Sequence, residues 1–285
     1  MRVAIVAMMK NEERYIEDWV KYHSGIGITD FILFDNNDIG NTKQHDIVLS
    51  SLKDYNIILI ALNGRQALEK VGFQIGAYNL AYNYIRTSEK LKGIDYVIFI
   101  DIDEYLYFYN KSITDFLSMD NIKDAELVHL NWQCYGDSDN VFYDARPVWQ
   151  RFTRPCPVDV IYDQHVLPEG IVVNNHVKSI LKVSDRPIHI TVHTCFFNDE
   201  IKCVNSNGDL NDFRSPYQNI CYNNGFVKHY ITKTAEEYVE RRILNYTRCD
   251  INEATDFENA KRAFFSVNTT TKQKLKLFDD AAKLL

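Results

Sequence analysis

Short apolar runs alternate with helix-type segments along the first 110 residues of the chain. The runs are rich in branched residues, which is typical of strands buried on both faces, and they lie at 2–9, 31–34, 57–62 and 96–100. Helical spacing follows the first run, with apolar side chains at Ile16, Trp19, Val20 and His23. Further helices are predicted near 42–53 and from 66 to about 92. This alternation predicts an α/β fold with a mostly parallel sheet flanked by helices.

Polar clusters follow three of the predicted strands at their carboxyl ends. They are Asn11 with Glu12, Asp35 with Asn36, and Asp101 with Asp103. Ligands of parallel α/β sheets bind beyond the carboxyl ends of the strands. Scattered surface acids would not all fall at such positions, so we predict a ligand site at this edge of the sheet.

The fourth strand ends in the sequence Asp101-Ile102-Asp103-Glu104. Residues two apart on an extended chain point to the same side, so Asp101 and Asp103 share a face. Carboxylates at the end of a buried strand are costly unless something compensates them, and a divalent cation does so. The alternative is that these acids cap the next turn.

The loop after the first strand does not have the composition of a phosphate-binding loop. The sequence contains no Walker motif and no Gly-x-Gly-x-x-Gly after that strand. The acidic and amide groups there suit a base and ribose better than phosphates. A diphosphate would then need a metal held by Asp101 and Asp103, a combination that describes a nucleotide-diphosphate sugar.

The second half of the chain is less regular. A strand is predicted at 125–132, but the short strand signals of 140–225 cannot be ordered. Helix starts are predicted at Ser112 with Asp115 and at Thr234 with Glu237, the latter helix running to about Arg248. An amphipathic terminal helix is predicted from Leu275, Phe278, Ala282 and Leu285.

Composition excludes some functions and compartments. The net charge of −7 over 285 residues argues against non-specific nucleic-acid binding. The chain lacks an apolar stretch of 18 residues, the first strand begins at residue 2, and the six cysteines form no Cys-x-x-Cys pair. We therefore expect a cytoplasmic protein with reduced thiols. The lysines of the terminal helix leave peripheral contact with the inner membrane face as an open alternative.

Several motifs together resemble a known group of enzymes. They are Asn11-Glu12-Glu13 with Tyr15, Trp19 and His23, then Phe34-Asp35-Asn36-Asn37, then Asp101-Ile102-Asp103-Glu104-Tyr105, and later Asn131-Trp132, His176-Val177-Lys178-Ser179, His193 and His229-Tyr230 with Lys233-Thr234. Over roughly residues 2 to 245 the chain resembles glycosyltransferases of family 2 and, more closely, family 92. The resemblance implies a GT-A fold in residues 1–230, divided into a nucleotide-sugar half at 1–110 and an acceptor half at 111–230, with a helical segment at 231–285.

The same resemblance implies roles for individual residues. Asn11, Glu12 and Asp35 would bind the nucleotide base and ribose, with Asp35 accepting from a uracil N–H. Arg65 and Gln74 would reach ribose or phosphate, and Lys178 would clamp the diphosphate. Asp103 would bind Mn²⁺ or Mg²⁺, Asp101 would bind the metal or ribose, and one imidazole would complete the set. His193 is the first candidate, on the reading that His189 and His193 share one strand face, and His229 is its rival.

The resemblance implies transfer of a sugar from a nucleotide-diphosphate donor, a UDP-sugar, to a glycan or lipid-linked glycan acceptor. We expect surface polysaccharide synthesis. If the anomeric carbon inverts, one carboxylate must deprotonate the acceptor hydroxyl, and the candidates are Asp137, Asp139 and Asp163. Two other functions remain open: a sugar nucleotidyltransferase, and a non-catalytic sugar-binding protein on the same fold.

Overall fold

The computed structural model describes residues 1–62, 70–109, 111–162, 167–244 and 253–284. Within them the chain forms two compact units. The first comprises residues 1–132 and 175–227, and the second comprises 133–174 and 228–285. The sequence had placed a boundary at residue 230, whereas here residues 133–174 group with the C-terminal helices.

The first unit is built on a sheet whose early strands are buried apolar runs, as the sequence predicts. The strands in chain order are β1 Val3–Met9, β2 Asp30–Asp35, β3 Ile57–Ala61, β4 Tyr96–Phe99, β5 Glu104–Tyr107, β6 Leu127–Tyr135, β7 Val177–Lys182, β8 Ile188–Ile190, β9 Cys195–Phe197, β10 Cys203–Val204 and β11 Phe226–Tyr230. Of these, β8 and β9 pair with each other in a separate two-stranded sheet. In the described residues the sheet order is β3-β2-β1-β4-β7-β6-β11-β5, with β10 paired to β6. The strands from β3 to β4 are parallel, and β7 is antiparallel to both β4 and β6. The predicted α/β class with a mostly parallel sheet is confirmed.

Eight α-helices accompany these strands in the described residues. They are α1 Ile16–Gly25, α2 Lys43–Ser51, α3 Lys70–Thr87, α4 Ile113–Leu117, α5 Val148–Arg151, α6 Ala235–Val239, α7 Glu253–Val267 and α8 Lys272–Ala282. On α3, Tyr78, Tyr82 and Ile85 are buried as predicted. Fully burying one such side chain contributes about 1.5–3 kcal/mol, so this packing fixes α3 on the sheet.

Helix α1 holds the acidic turn in place from the other side. Its predicted apolar face is confirmed, because Ile16, Trp19, Val20 and His23 are all buried. The indole N–H of Trp19 donates to the carbonyl of Glu104 at 2.9 Å, and the Tyr22 hydroxyl donates to the carbonyl of Leu106 at 2.8 Å. Both acceptors lie in β5, a strand that the sequence did not predict. The turn between β4 and β5 is thereby anchored.

The second unit contains a buried ion pair beneath a helix cap. Thr234 and Glu237 form the predicted capping box of α6, and Arg151 donates two hydrogen bonds to the same Glu237 carboxylate, at 2.8 and 3.0 Å. The α-helix itself ends at Val239. It passes into a π-helical turn at Glu240–Leu244, and residues 245–252 lie outside the described residues.

The terminal helix buries a different face from the predicted one. Phe278 is buried as expected, but Ala281 rather than Ala282 joins it, together with Lys274. The Lys274 ammonium lies 2.5 Å from the Asp137 carboxylate, inside the same unit. The sequence left contact of this helix's lysines with a membrane open, whereas Lys274 is buried. Among the described residues, no helix is both long and apolar enough to cross a membrane.

Candidate nucleotide and metal site

The carboxyl ends of the parallel strands meet at one edge of the sheet, which brings the predicted polar clusters to neighbouring positions. Met9, the last residue of β1, pairs with Asp35, the last residue of β2, and Asp35 in turn pairs with Ala61. On the other side of β1, β4 ends at Phe99, which pairs with Val6. Asn11, Asp35 and Asp101 therefore leave adjacent strands at the same edge.

A tight turn presents the acids that follow β4. The backbone N–H of Asp101 donates to Glu104 Oε2 at 2.8 Å, and the N–H of Glu104 donates back to the Asp101 carbonyl at 3.1 Å. The Asp101 side chain is 39 % exposed, whereas Glu104 is fully buried. Glu104 closes the turn, and Asp101 remains open to solvent on one side.

Lys178 links these two carboxylates from β7. Its ammonium lies 3.1 Å from Asp101 Oδ2 and 3.1 Å from Glu104 Oε2, with 1 % of its side chain exposed. Gln74, on α3, donates to the other Asp101 oxygen at 2.8 Å and to the Tyr78 hydroxyl at 2.7 Å. Lys178 and Gln74, both predicted to reach the donor, thus fix the orientation of Asp101.

The charges of this cluster do not balance. Burial raises the pKa of Glu104 to about 8, against the opposing effect of Lys178. Burial lowers the pKa of Lys178, but Asp101 and Glu104 more than offset this, so its pKa is raised overall. Both pKa values are raised, but the consequences for the ion pair differ. The raised pKa of Glu104 favours its neutral form, whereas the raised pKa of Lys178 favours its charged form. One ammonium facing several acids accounts for both, and the cluster is best described as a charged lysine with excess negative charge around it.

The metal ligands predicted from the sequence are not gathered into a ready-made site. Over the described ranges, no three His, Cys, Asp or Glu side chains are grouped closely enough to hold a metal ion. The donor chemistry nevertheless fits a hard cation, since Asp101 and Asp103 are oxygen donors in an acidic cluster. Glu104 Oε1 is also buried, without a hydrogen-bond partner among the described residues. The metal role of Asp101 and Asp103 stays a prediction.

His193 does not lie on the strand that the sequence predicted. The segment 189–193 is not one strand, because β8 ends at Ile190 and a turn closed by Thr191 and Thr194 leads into β9. His193 lies in that turn, and its ring Nδ1 is 3.1 Å from the Val177 carbonyl. Its ring also packs edge-on against Trp132, with centroids 5.2 Å apart. The prediction that His189 and His193 share one face of a strand was therefore wrong. The choice between His193 and His229 as a metal ligand stays a prediction that nothing here tests.

The loops after β1 and β2 form a second cluster, which contains the three predicted base-binding residues. Asp35 Oδ1 accepts from the backbone N–H of Asn37 at 3.0 Å and from the side-chain amide of Gln44. Gln44 also accepts from the backbone N–H of Glu12 at 3.0 Å. Asn11 adopts a left-handed backbone with φ of 55°, which asparagine tolerates better than most residues. Gln44 was missed by sequence reasoning, although its place in a polar helix just after the second cluster was visible.

The candidate general bases are placed differently. Asp137 belongs to the second unit and is 2 % exposed. Its carboxylate pairs with Lys274 and accepts from the N–H of Asp139 at 2.8 Å. Burial raises its pKa in spite of Lys274. This environment is that of a structural ion pair. Asp163 and Arg65 lie outside the described residues.

Comparison with known proteins agrees with the resemblance that the motifs indicate. No protein-family model matches the chain. The chain is 28 % identical over 122 residues to a glycosyltransferase family 92 protein of rice, a match covering 42 % of this chain and 19 % of that protein. It is 23 % identical over 135 residues to a family 92 protein of Arabidopsis thaliana, covering 47 % of this chain and 21 % of that protein. The matched stretch therefore spans about a fifth of the length of these curated relatives.

Solved structures of S. aureus TarS are also similar in part. The structure of TarS residues 1–349 gives a TM-score of 0.39 at 12 % identity, covering 99 % of this chain and 79 % of that one. A longer TarS structure gives 0.42 at 14 % identity, covering 93 % and 43 %. The sequence matches confirm the resemblance of the motifs: the chain is similar to glycosyltransferases of family 92.

Proposed function

We propose that the protein is a metal-dependent glycosyltransferase that uses a nucleotide-diphosphate sugar, a UDP-sugar, as donor. One observation carries the proposal. An acidic turn with excess negative charge and an amide-rich cluster follow neighbouring strands at one edge of a parallel sheet. The first suits a cation that carries a diphosphate, and the second suits a base and ribose. The similarity to family 92 glycosyltransferases supports the same conclusion.

The chemistry follows from where charge develops. Breaking the bond between the sugar and the diphosphate leaves a more negative nucleoside diphosphate, and catalysis requires stabilising that charge in the transition state. Asp101 and Asp103 would hold Mn²⁺ or Mg²⁺, which supplies positive charge at the leaving group. Lys178 and Gln74 hold Asp101 in one orientation from two sides.

The acceptor is proposed to be a glycan or a lipid-linked glycan. If transfer inverts the anomeric carbon, a carboxylate must take the proton of the acceptor hydroxyl. The buried pair with Lys274 favours a structural role for Asp137, so Asp163→Asn is the first variant to measure for loss of that proton acceptor.

The test is release of UDP from a panel of UDP-hexoses and UDP-N-acetylhexosamines, with and without Mn²⁺. We expect release from at least one donor to need the metal, and Asp103→Asn to slow it by about a hundredfold or more, since a metal contributes several kcal/mol to such a transition state. Asp30→Asn is the matched control. Asp30 is a buried carboxylate at the opposite end of β2, paired with Arg2 at 2.6 Å, so its loss should affect folding stability but not metal dependence. Release by Asp103→Asn at the wild-type rate would overturn the proposal.

A further inference from the structure

Two consecutive asparagines after β2 carry buried polar atoms without partners. Asn36 and Asn37 are 5 % and 4 % exposed. The side-chain oxygen of Asn36 and the side-chain nitrogen of Asn37 have no hydrogen-bond partner among the described residues. Buried polar groups are nearly always hydrogen-bonded, and an unpaired one destabilises the fold. Two such atoms in adjacent residues at the candidate site indicate partners supplied by a ligand.

The orientation of the Asn37 amide is fixed by its surroundings. Its side-chain oxygen accepts from the backbone N–H of Asn11 at 2.7 Å. A backbone N–H is only a donor, so the amide cannot be turned around, and its NH₂ group must be the free end. The backbone N–H of Asn37 is held in turn by Asp35 at 3.0 Å. Asn37 therefore offers a positioned donor.

Asp35, in contrast, already has polar neighbours at both carboxylate oxygens. Oδ1 accepts from Asn37 and Gln44, and Oδ2 lies 3.4 Å from the Nδ1 of His45. A uracil N–H would have to compete with these partners. The position of Asp35 between its neighbours instead suits a residue that orients the asparagines.

We propose that the carboxamides of Asn36 and Asn37 contact the base of the nucleotide and that Asp35 positions them. The inference rests on the proposed function, because it assigns one part of that donor site. Uracil presents an N–H between two carbonyls, so a free donor and a free acceptor match its edge. Phosphates fit this cluster poorly, because the charged groups around it include the carboxylates of Asp35 and Glu12.

The experiment is calorimetric titration of the full chain with UDP, CDP and pyrophosphate, each with Mn²⁺. Asn36→Leu and Asn37→Asp should each weaken UDP binding about tenfold, as expected for one lost hydrogen bond whose partner stays unpaired. Asn37→Asp keeps the oxygen that accepts from Asn11 and replaces the donor by an anionic oxygen, which repels the uracil carbonyl. Pyrophosphate binding should be unchanged, and the preference of the wild type for UDP over CDP should fall in Asn37→Asp.

Stability separates a base-reading role from a structural one. Asn36→Leu removes an unpaired buried oxygen, so the ligand-free variant should unfold at the same temperature as the wild type or higher. The matched control is Asn79→Leu. The Asn79 side chain donates to the Ile190 carbonyl at 2.8 Å and accepts from the Ile190 N–H at 3.0 Å. The Asn79→Leu variant loses both hydrogen bonds, so it should unfold at a lower temperature than the wild type but bind UDP with the same affinity.

The outcomes distinguish this inference from the proposed function. If the wild type binds neither UDP nor pyrophosphate, both fail. If the wild type binds UDP and both asparagine variants bind it equally well, only the base-reading role fails. An Asn36→Leu variant that unfolds at a lower temperature and still binds UDP as tightly as the wild type would assign that side chain a structural role and overturn the inference for it.

Discussion

Lys178 carries its charge in a place where burial alone would disfavour it. Its ammonium is held between Asp101 and Glu104, and both the lysine and Glu104 are withdrawn from solvent. A buried charge is tolerated only where such partners exist. Lys178 and Asp101 lie 77 residues apart in sequence. Local sequence patterns therefore could not predict the pairing. From the sequence, Lys178 was expected only to bind the diphosphate of the donor.

Replacing Lys178 should expose how strongly this cluster depends on it. We expect Lys178→Met to lower the free energy of unfolding by about 3–5 kcal/mol, because it leaves the buried Glu104 carboxylate without its cation. Adding Glu104→Gln should recover part of the loss, since the remaining partner is then neutral. Urea unfolding of the wild type, the two single variants and the double variant at pH 7 gives the free energies of unfolding for a double-mutant cycle. Additive losses in the double variant would show that the two side chains are not coupled.

At the scale of elements, the spacing of residues along the chain correctly predicted those features that depend on contacts between residues close in sequence. The buried face of α1 and the capping boxes at Ser112 and Thr234 were correct because each depends on residues within a turn or two. The terminal helix was assigned the wrong face because the assignment followed apolar spacing alone. The buried face includes Lys274, which pairs with Asp137 far away in sequence. β7 and β10 pair with strands far away in sequence, so their own sequence could not order them, whereas β8 and β9 pair with each other.

Helix α1 also contains a buried histidine, His23, whose hydrogen bonds require the neutral form of its ring. The His23 ring accepts from the backbone N–H of Leu106 at 3.2 Å through Nε2, while Nδ1 is 2.8 Å from the Trp19 carbonyl and donates to it. Burial lowers the pKa of His23 to about 3, against the opposing effect of the Trp19 carbonyl. The neutral ring therefore joins α1 to β5, next to the acidic turn.

This arrangement predicts acid sensitivity of a defined sign. The folded pKa lies below the unfolded value of about 6.5, so the stability is present above that pH and is lost as pH falls towards 3. At pH 5 the loss from His23 is about 2 kcal/mol. His23→Gln can still accept from Leu106 and should show a shallower decline between pH 7 and 5 in urea unfolding.

The control for this measurement is His189→Gln, which replaces an exposed histidine and should leave the pH dependence unchanged. His129 is also buried, and burial lowers its pKa to about 3, so part of the slope should persist in His23→Gln. A variant with the full wild-type slope would contradict the account of His23.

For the molecule as a whole, charge restricts how a nucleotide can bind. The chain carries a net charge of −7, and the candidate site adds a cluster of acids with one lysine. A nucleoside diphosphate is itself an anion, so the proposed donor would gain from added positive charge at this site. The Asp-x-Asp pattern predicts a metal at this site, and that role stays a prediction. The sequence did not reveal that β7 places Lys178 among the acids.

The most direct test of the account is the thermal stability of the wild type and Asp103→Ala with UDP, each with and without Mn²⁺. A ligand that binds only the folded state at a hundred times its Kd adds about 2.7 kcal/mol. The account predicts a rise in unfolding temperature with UDP that needs both the metal and Asp103, with smaller rises for GDP, CDP and ATP. No rise with any nucleoside diphosphate, or an equal rise in Asp103→Ala, would contradict the donor site proposed here.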